Sequence, residues 1–533
     1  FDQGKKEEAI EKYHTCLEIE PDYLWALYNL GRAYKGTNPE KALECVAKAV
    51  ELDDQFVDAY NLWGNIYLDQ GKNTEAREKY EKCIELNSAF SHAYYNIGLS
   101  YEKEDLEKSK EYYKLATEKD ATYTSAYSRW GSLLLEEGKN EEAREIYEKY
   151  LAIDPSSTLI LYYLAESYEE EDFEKAIDYL NQAITIQPEY INAYNKWGNI
   201  LLDHGKNEEA RSIYEKCLHL DKDFKWAYYN LGRSYEGEDH VKAAAFFEKA
   251  VEKDDTYTDA YNRWGNVLLN RDQLVQAREK YEKCLSIDED YKWAFYNLGR
   301  SYEQEDPLKA IEFFKRATEK DEEYLDAYIR WGNELYILDM FEEAREKYER
   351  CLELDKDYKW AFLNLGITYQ SEDPLKAIGY YEEIIARDPM DHEGFNGVYY
   401  CIALLDDTEE HIAGLAAKAE ELNSPAGYFA LGNLYQYYLL DYENSYTYYQ
   451  KSLDLGYDKG ISLDLSNLYD SMGNLEKSLE VLENHKETDI AEENIYPSHN
   501  RAHYLLKMGR YDKARALWKK VLTQFVDAFE NDQ

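Results

Sequence analysis

Seven cysteines are the first residues in this 533-residue chain whose chemistry needs a reading. Five of them, Cys16, Cys83, Cys217, Cys284 and Cys351, fall on one 67-residue step, while Cys45 and Cys401 stand alone. A zinc site needs four donors around one ion, and a disulfide needs two thiols close in space. Thiols spread one to a repeat meet neither need, so they read as small buried fillers. Free thiols suit a reducing compartment, and a cytoplasmic location is expected, with the cilium or cytoskeleton as the alternative. His499 and His503 have the i, i+4 spacing of a helical metal pair, but no third ligand lies near them, and a plain surface pair is the expectation. A phosphate loop is imitated only by Gly198 to Lys206 and its relatives in other repeats, where the glycine spacing is wrong and no hydroxyl residue follows the lysine. Neither a GxSxG elbow nor an HExxH pair occurs. No catalytic residue, metal or cofactor is expected.

The remaining chemistry is charge. There are 108 acidic and 62 basic residues, a net charge of −46. Phosphate binding works through a basic face that releases counterions, so nucleic acid is not an expected partner, nor is an anionic membrane surface. No apolar run approaches the roughly 20 residues of a membrane-spanning helix. No signal peptide is visible. Phe1 enters partway through a repeat, with Ala9, Tyr13 and Cys16 on a second helix, and further sequence upstream is expected.

The elements that position these residues follow from periodicity. Trp63, Trp130, Trp197, Trp264 and Trp331 stand 67 residues apart, and Trp25, Trp226, Trp293 and Trp360 keep the same step, with His92 and Leu159 in the gaps. Gly31, Gly64, Gly98, Gly131, Ala165, Gly198, Gly232, Gly265, Gly299, Gly332 and Gly366 divide each 67-residue unit into halves of 33 and 34. Each half has the i, i+3, i+4, i+7 pattern of two amphipathic helices, as in Tyr261, Trp264, Gly265 and Leu268, then Ala277, Tyr281 and Cys284. Glu305-Asp306-Pro307 is a helix start, with the acid as N-cap and proline at the first turn.

An aromatic residue, a Leu-Gly or Trp-Gly pair, a tyrosine, an alanine, an aromatic and a small residue, all in register, resemble the tetratricopeptide repeat family. The resemblance implies an all-α superhelix of about fifteen helix pairs, with the first helix of each pair lining a groove. The organisation expected is a half repeat over 1–23 and eleven regular repeats over 24–391. A degenerate pair or joint follows over 392–424, then looser repeats and a cap over 425–533.

Function in such an array belongs to the groove, whose lining is counted as the second, fifth, sixth and ninth residues of each first helix. These include Trp226, Tyr229, Asn230 and Arg233, then Arg263 and Asn266, then Trp293, Tyr296, Asn297 and Arg300, then Arg330. The asparagines Asn29, Asn96, Asn230, Asn297 and Asn364 resemble the amide ladder by which some family members hold an extended peptide, since an amide both donates and accepts. A structural alternative is written in the same residues. Arg32, Arg233 and Arg300 are each followed one repeat on by Asp58, Asp259 and Asp326, which suits salt bridges. Lys196, Arg263 and Arg330 precede Trp226, Trp293 and Trp360, which suits cation–π stacking. The pattern breaks between 91 and 166, at His92, Leu99, Ser125, Ser128, an unpaired Arg129, Ser132, Leu159, Tyr163 and Glu166. Either this segment holds a partner-specific site or it has drifted.

Three functions stay open. One is a scaffold or adaptor holding a protein segment, of the basic kind an acidic surface steers in, within a multi-subunit assembly. A second is a co-chaperone-like clamp for a peptide carboxylate. Asn199, Asn230 and Arg263, or Asn266, Asn297 and Arg330, imitate part of such a clamp, but its lysines are replaced by Asn195 and Asp259, or Asn262 and Asp326. The third is a repeat arm of an enzyme whose catalytic part lies elsewhere.

Overall fold

A computed structural model describes residues 6–405, 408–457, 461–484 and 507. Among the described residues there are 29 helices and no strand. The chain divides into two units, residues 1–267 and 268–533. In each, helices pack on their neighbours in sequence, and the first helices of successive pairs touch one another.

First helices begin at Leu24, Val57, Ser91, Thr124, Thr158, Ile191, Lys225, Thr258, Lys292, Leu325 and Lys359. They alternate between 11 and 13 residues, as in Leu24–Tyr34 and Val57–Asp69. The shorter type ends before an acid or amide that caps the second helix. Asn38, Asp105, Asp172, Asp306 and Asp373 each accept a backbone N–H three residues on, and Asp239 does so as well. The longer type closes on a left-handed residue. Gly71, Gly138 and Gly205 hold this place at φ near +70°, but Asp272 and Asp339 hold it in the next two copies at φ of 57° and 58°. A Cβ is strained there. Asp339→Gly is therefore expected to raise stability by up to about 1 kcal/mol, read as a higher denaturation midpoint of the full chain.

Close approach of the two helices in a pair depends on a small residue facing a ring. A Cβ on Gly198 would lie 2.4 Å from the Tyr214 ring, and one on Gly299 would lie 2.5 Å from Phe314. The rings Tyr80, Tyr147, Tyr214, Phe247, Tyr281, Phe314 and Tyr348 are buried as a result. Cys83, Cys217, Cys284 and Cys351 are buried fillers as expected, whereas Cys16 is only half-buried. Burial pushes the Cys83, Cys217 and Cys351 thiols up to about 12.

Successive pairs are bolted by an arginine that sequence periodicity alone did not single out. Arg77, Arg144, Arg211, Arg278 and Arg345 recur on the 67-residue step. Each donates to a backbone carbonyl of the next pair, at Ser100, Ser167, Ser234, Ser301 and Thr368. Each also lies over a tyrosine ring, 3.6–4.1 Å from the centroid, and pairs with a glutamate from Glu104 to Glu372. A charge-assisted bond of this kind contributes about 1.5–3 kcal/mol.

Candidate functional site

The groove asparagines are turned into the wall. Asn96 Nδ2 donates to Asn61 Oδ1 at 2.8 Å and to Asn65 Oδ1 at 3.0 Å, and Asn65 also accepts the Tyr80 hydroxyl. Asn230 repeats this with Asn195, Asn199 and Tyr214, and Asn364 with Asn333 and Tyr348. Asn230 and Asn297 are each only 4% exposed, and their Oδ1 atoms accept from Arg233 and Arg300. An amide so occupied has little left to offer a peptide backbone.

The cations reach in a direction opposite to the one expected. Arg263 bonds the Tyr229 hydroxyl and the Glu236 carboxylate of the preceding repeat, and Arg330 does the same with Tyr296 and Glu303. Lys196 pairs with Glu169 at 2.5 Å and with Glu166 at 3.3 Å. Burial alone would lower Lys196, but these carboxylates outweigh it and keep the ammonium charged. The cations over Trp226, Trp293 and Trp360 are instead their own neighbours, Lys225, Lys292 and Lys359. Arg129, expected to be unpaired, lies 3.7 Å from Glu102 and obeys the same backward rule. Where the cation is replaced by Leu62, the glutamate is replaced by Lys35, which turns to Asp69 at 3.2 Å. The expected Arg–Asp bridges are also corrected. Arg233 pairs with Asp203 at 3.3 Å, and Asp326 accepts from the Tyr358 hydroxyl. Arg and Asp instead face a shared tyrosine, Tyr257 or Tyr324, on which their fields oppose.

The broken segment has a physical form. Ser128, Ser132 and Tyr163 stand where the regular repeats place the three amides of Asn61, Asn65 and Asn96. Two side chains are shortened, and the third becomes a ring stacked 5.9 Å from Tyr147. The wall is thereby opened, and a cleft of about 990 Å³ lies there, lined by Arg129, Ser132, Leu135, Glu136, Gly138, Asn140, Tyr163, Glu166, Glu169, Glu170, Ile200, Asp203 and His204. Of the five carboxylates in this lining, Glu166 and Glu169 are held by Lys196 and Asp203 by Arg233, which leaves Glu136 and Glu170 as the acids with no ion pair among the described residues. His204 Nδ1 lies 2.8 Å from the Ile200 carbonyl, and its ring stacks on Phe173 at 4.1 Å. Three first helices, Thr124–Glu136, Thr158–Tyr168 and Ile191–Asp203, and the turns that follow them build the cleft, with Asn140 from the start of a second helix.

Of the groove residues singled out, the structure gathers Arg129, Ser132, Tyr163 and Glu166 here. Trp226 and Trp293 are exposed at other repeats, and Tyr229, Tyr296, Arg263 and Arg330 join the cation sets described above. Asn96 lies in its amide cluster, and Asn266 is half-buried. Glu169, Glu170, Asp203 and His204 were missed because they sit at helix ends beyond the four counted positions. His499 and His503 lie outside the described residues. Among the described residues no group of three or more side chains is placed to hold a metal ion.

The repeats match known family profiles. A TPR repeat profile covers residues 1–38 and 64–105, and tetratricopeptide repeat profiles cover 91–123, 128–191, 195–258 and 325–358. The chain is a tetratricopeptide-repeat protein. Among similar proteins, human protein O-mannosyl-transferase TMTC3 is 25% identical over 333 residues, which is 57% of this chain and 36% of that one. Human DnaJ homolog subfamily C member 3 is 23% identical over 360 residues, 66% of this chain and 63% of that one. This tetratricopeptide-repeat chain thus spans under two thirds of either relative. Yeast Tom70 is similar at 17% identity and a TM-score of 0.39, over 79% of this chain and 93% of that one. Among the described residues no helix is long and apolar enough to cross a membrane.

Proposed function

We propose that this tetratricopeptide-repeat protein is a non-enzymatic scaffold whose acidic cleft at Arg129, Tyr163 and Glu166 holds a basic segment of a partner protein. One observation carries the reading: the amide cluster that closes the wall in the regular repeats is missing where five carboxylates converge. Glu136 and Glu170 are exposed at this opening. Basic partners would be steered in by the net charge of −46, and the same charge argues against nucleic acid. The scaffold acts as a subunit of a larger assembly in the cytoplasm.

The test is charge reversal at the rim. Glu136→Lys with Glu170→Lys is expected to weaken binding of a fluorescein-labelled Lys-Ser repeat peptide by about tenfold, about 1.4 kcal/mol. The wild-type affinity falls with added salt, and thermal unfolding stays in place because both side chains are solvated. Unchanged affinity in the double variant would reject the cleft as the site.

A further inference from the structure

The pair at 392–424 departs from the repeat pattern in a way that brings tyrosines together. Tyr399 stands at the eighth first-helix position, where glycine or alanine stands in the copies from Gly31 to Gly366. The facing ring is the eighth residue of the second helix in the regular pairs, and in Glu409–Glu421 that residue is Ala416. The first helix instead sets Gly397 against the Tyr381 ring of the preceding pair, and Tyr399 is buried among other rings. Its centroid lies 4.1 Å from Tyr400, and it meets Tyr438 edge-on at 6.2 Å. Tyr437, next to Tyr438, donates its hydroxyl to Asp464 Oδ1 at 2.9 Å. Tyr400, Tyr437 and Tyr438 are exposed.

Asp464 is the unusual member of this set. It is half-buried, and among the described residues no Lys, Arg or His lies within ion-pair distance of it. Two other shielded acids have their cations: Asp254 pairs with Lys225, and Asp391 with Lys359 at 2.5 Å. Burial pushes the Asp464 carboxyl up to about 6, against the lowering by the Tyr437 hydroxyl. It is still charged at neutral pH. A desolvated carboxylate without a counter-charge is costly, and a cation entering from outside would relieve that cost. The faces of tyrosine rings attract the same cation.

We propose that Asp464 with Tyr399, Tyr400, Tyr437 and Tyr438 is a receptor for an arginine side chain of a partner protein. Arginine fits better than lysine because its planar fork can bond a carboxylate while its face stacks on a ring. The site lies wholly within residues 268–533 and does not depend on the cleft proposed above. Exposed Leu439 and Leu440, the latter held at φ of 56°, give it an apolar margin for the rest of the partner segment.

The experiment uses the full chain carrying Glu136→Lys and Glu170→Lys, so that a failure of the first site and a failure of this one are distinguishable. A fluorescein-labelled Arg-Ser repeat peptide is titrated by anisotropy. Binding is expected to persist in this background, to weaken about tenfold on Asp464→Asn, and to weaken comparably on Tyr438→Ala. The peptide with citrulline in place of arginine should bind the parent no better than the arginine peptide binds Asp464→Asn. Tyr438 is exposed, so the Tyr438→Ala midpoint should match that of the parent, and asparagine keeps the hydrogen bond to Tyr437 while removing a buried charge, so the Asp464→Asn midpoint should be no lower. Affinities within twofold across the set would overturn the proposal, as would equal binding of the citrulline peptide.

Discussion

Glu334→Ile is expected to make this protein more stable, by about 2 kcal/mol at pH 8. The tenth first-helix position is aliphatic in the other long-type copies, as Ile66, Leu133, Ile200 and Val267, and only at 334 is it a carboxyl. Glu334 is 3% exposed, and its Oε2 has no hydrogen-bond partner. Burial pushes its carboxyl from an ordinary 4.5 up to about 7, with Glu303 adding to the rise and Arg330 opposing it. Arg330 is already committed to Glu303 at 2.6 Å, so it gives Glu334 little relief. The sign follows from linkage. Below about pH 4.5 the group is protonated in both states and costs no charge burial. Between about pH 4.5 and 7 the unfolded chain releases its proton while the native state keeps it, so native stability falls across that window, and well above 7 the penalty is constant. Isoleucine removes that slope. Denaturation midpoints of wild type and variant should therefore diverge between pH 5 and pH 8. A constant offset across that range would show that the carboxyl is not the cause.

The second large effect concerns the cleft. Ser128→Asn, Ser132→Asn and Tyr163→Asn together rebuild the amide cluster seen at Asn61, Asn65 and Asn96. Tyr147, whose hydroxyl lies 3.5 Å from the Ser128 carbonyl, would gain the acceptor that Tyr80 has in Asn65. The new side chains would occupy the opening while leaving all five carboxylates in place. Binding of the Lys-Ser peptide is expected to drop about thirtyfold, about 2 kcal/mol, with no loss of thermal stability. This separates shape from charge. If the triple variant binds as wild type does, the acids act from the open surface and the cleft is incidental.

Much of the architecture was legible because short-range rules repeat without interruption. Asp306 caps its helix as its place before Pro307 implies, and each first helix starts where the spacing puts it. The segment at Arg129, Ser132, Tyr163 and Glu166 was legible as a departure from internal repetition. Direction was not. Arg263 has a tyrosine and a glutamate behind it, and a regular repeat offers partners at equal spacing either way. Glu236 takes the bond and Tyr229 binds the same guanidinium, a choice of side that spacing does not encode. Counting one face of each helix also hid Glu169 and Asp203, because helix ends splay residues into a cleft that mid-helix positions alone do not outline. The burial of Asn230 depended on Asn195 and Asn199 turning inward together, which is a packing outcome and not a periodicity.

The buried sulfurs have a practical use. Cys83, Cys217, Cys284 and Cys351 lie in different repeats and are shielded, whereas Cys16 and Cys45 are partly open. An alkylating reagent can reach a shielded thiol only when its own repeat opens, and the same burial that raises the Cys83, Cys217 and Cys351 thiols keeps them unreactive until then. Their labelling rates, compared with those of Cys16 and Cys45 as internal standards, form a natural gauge of how opening free energy varies along the array, with no probe engineered into it.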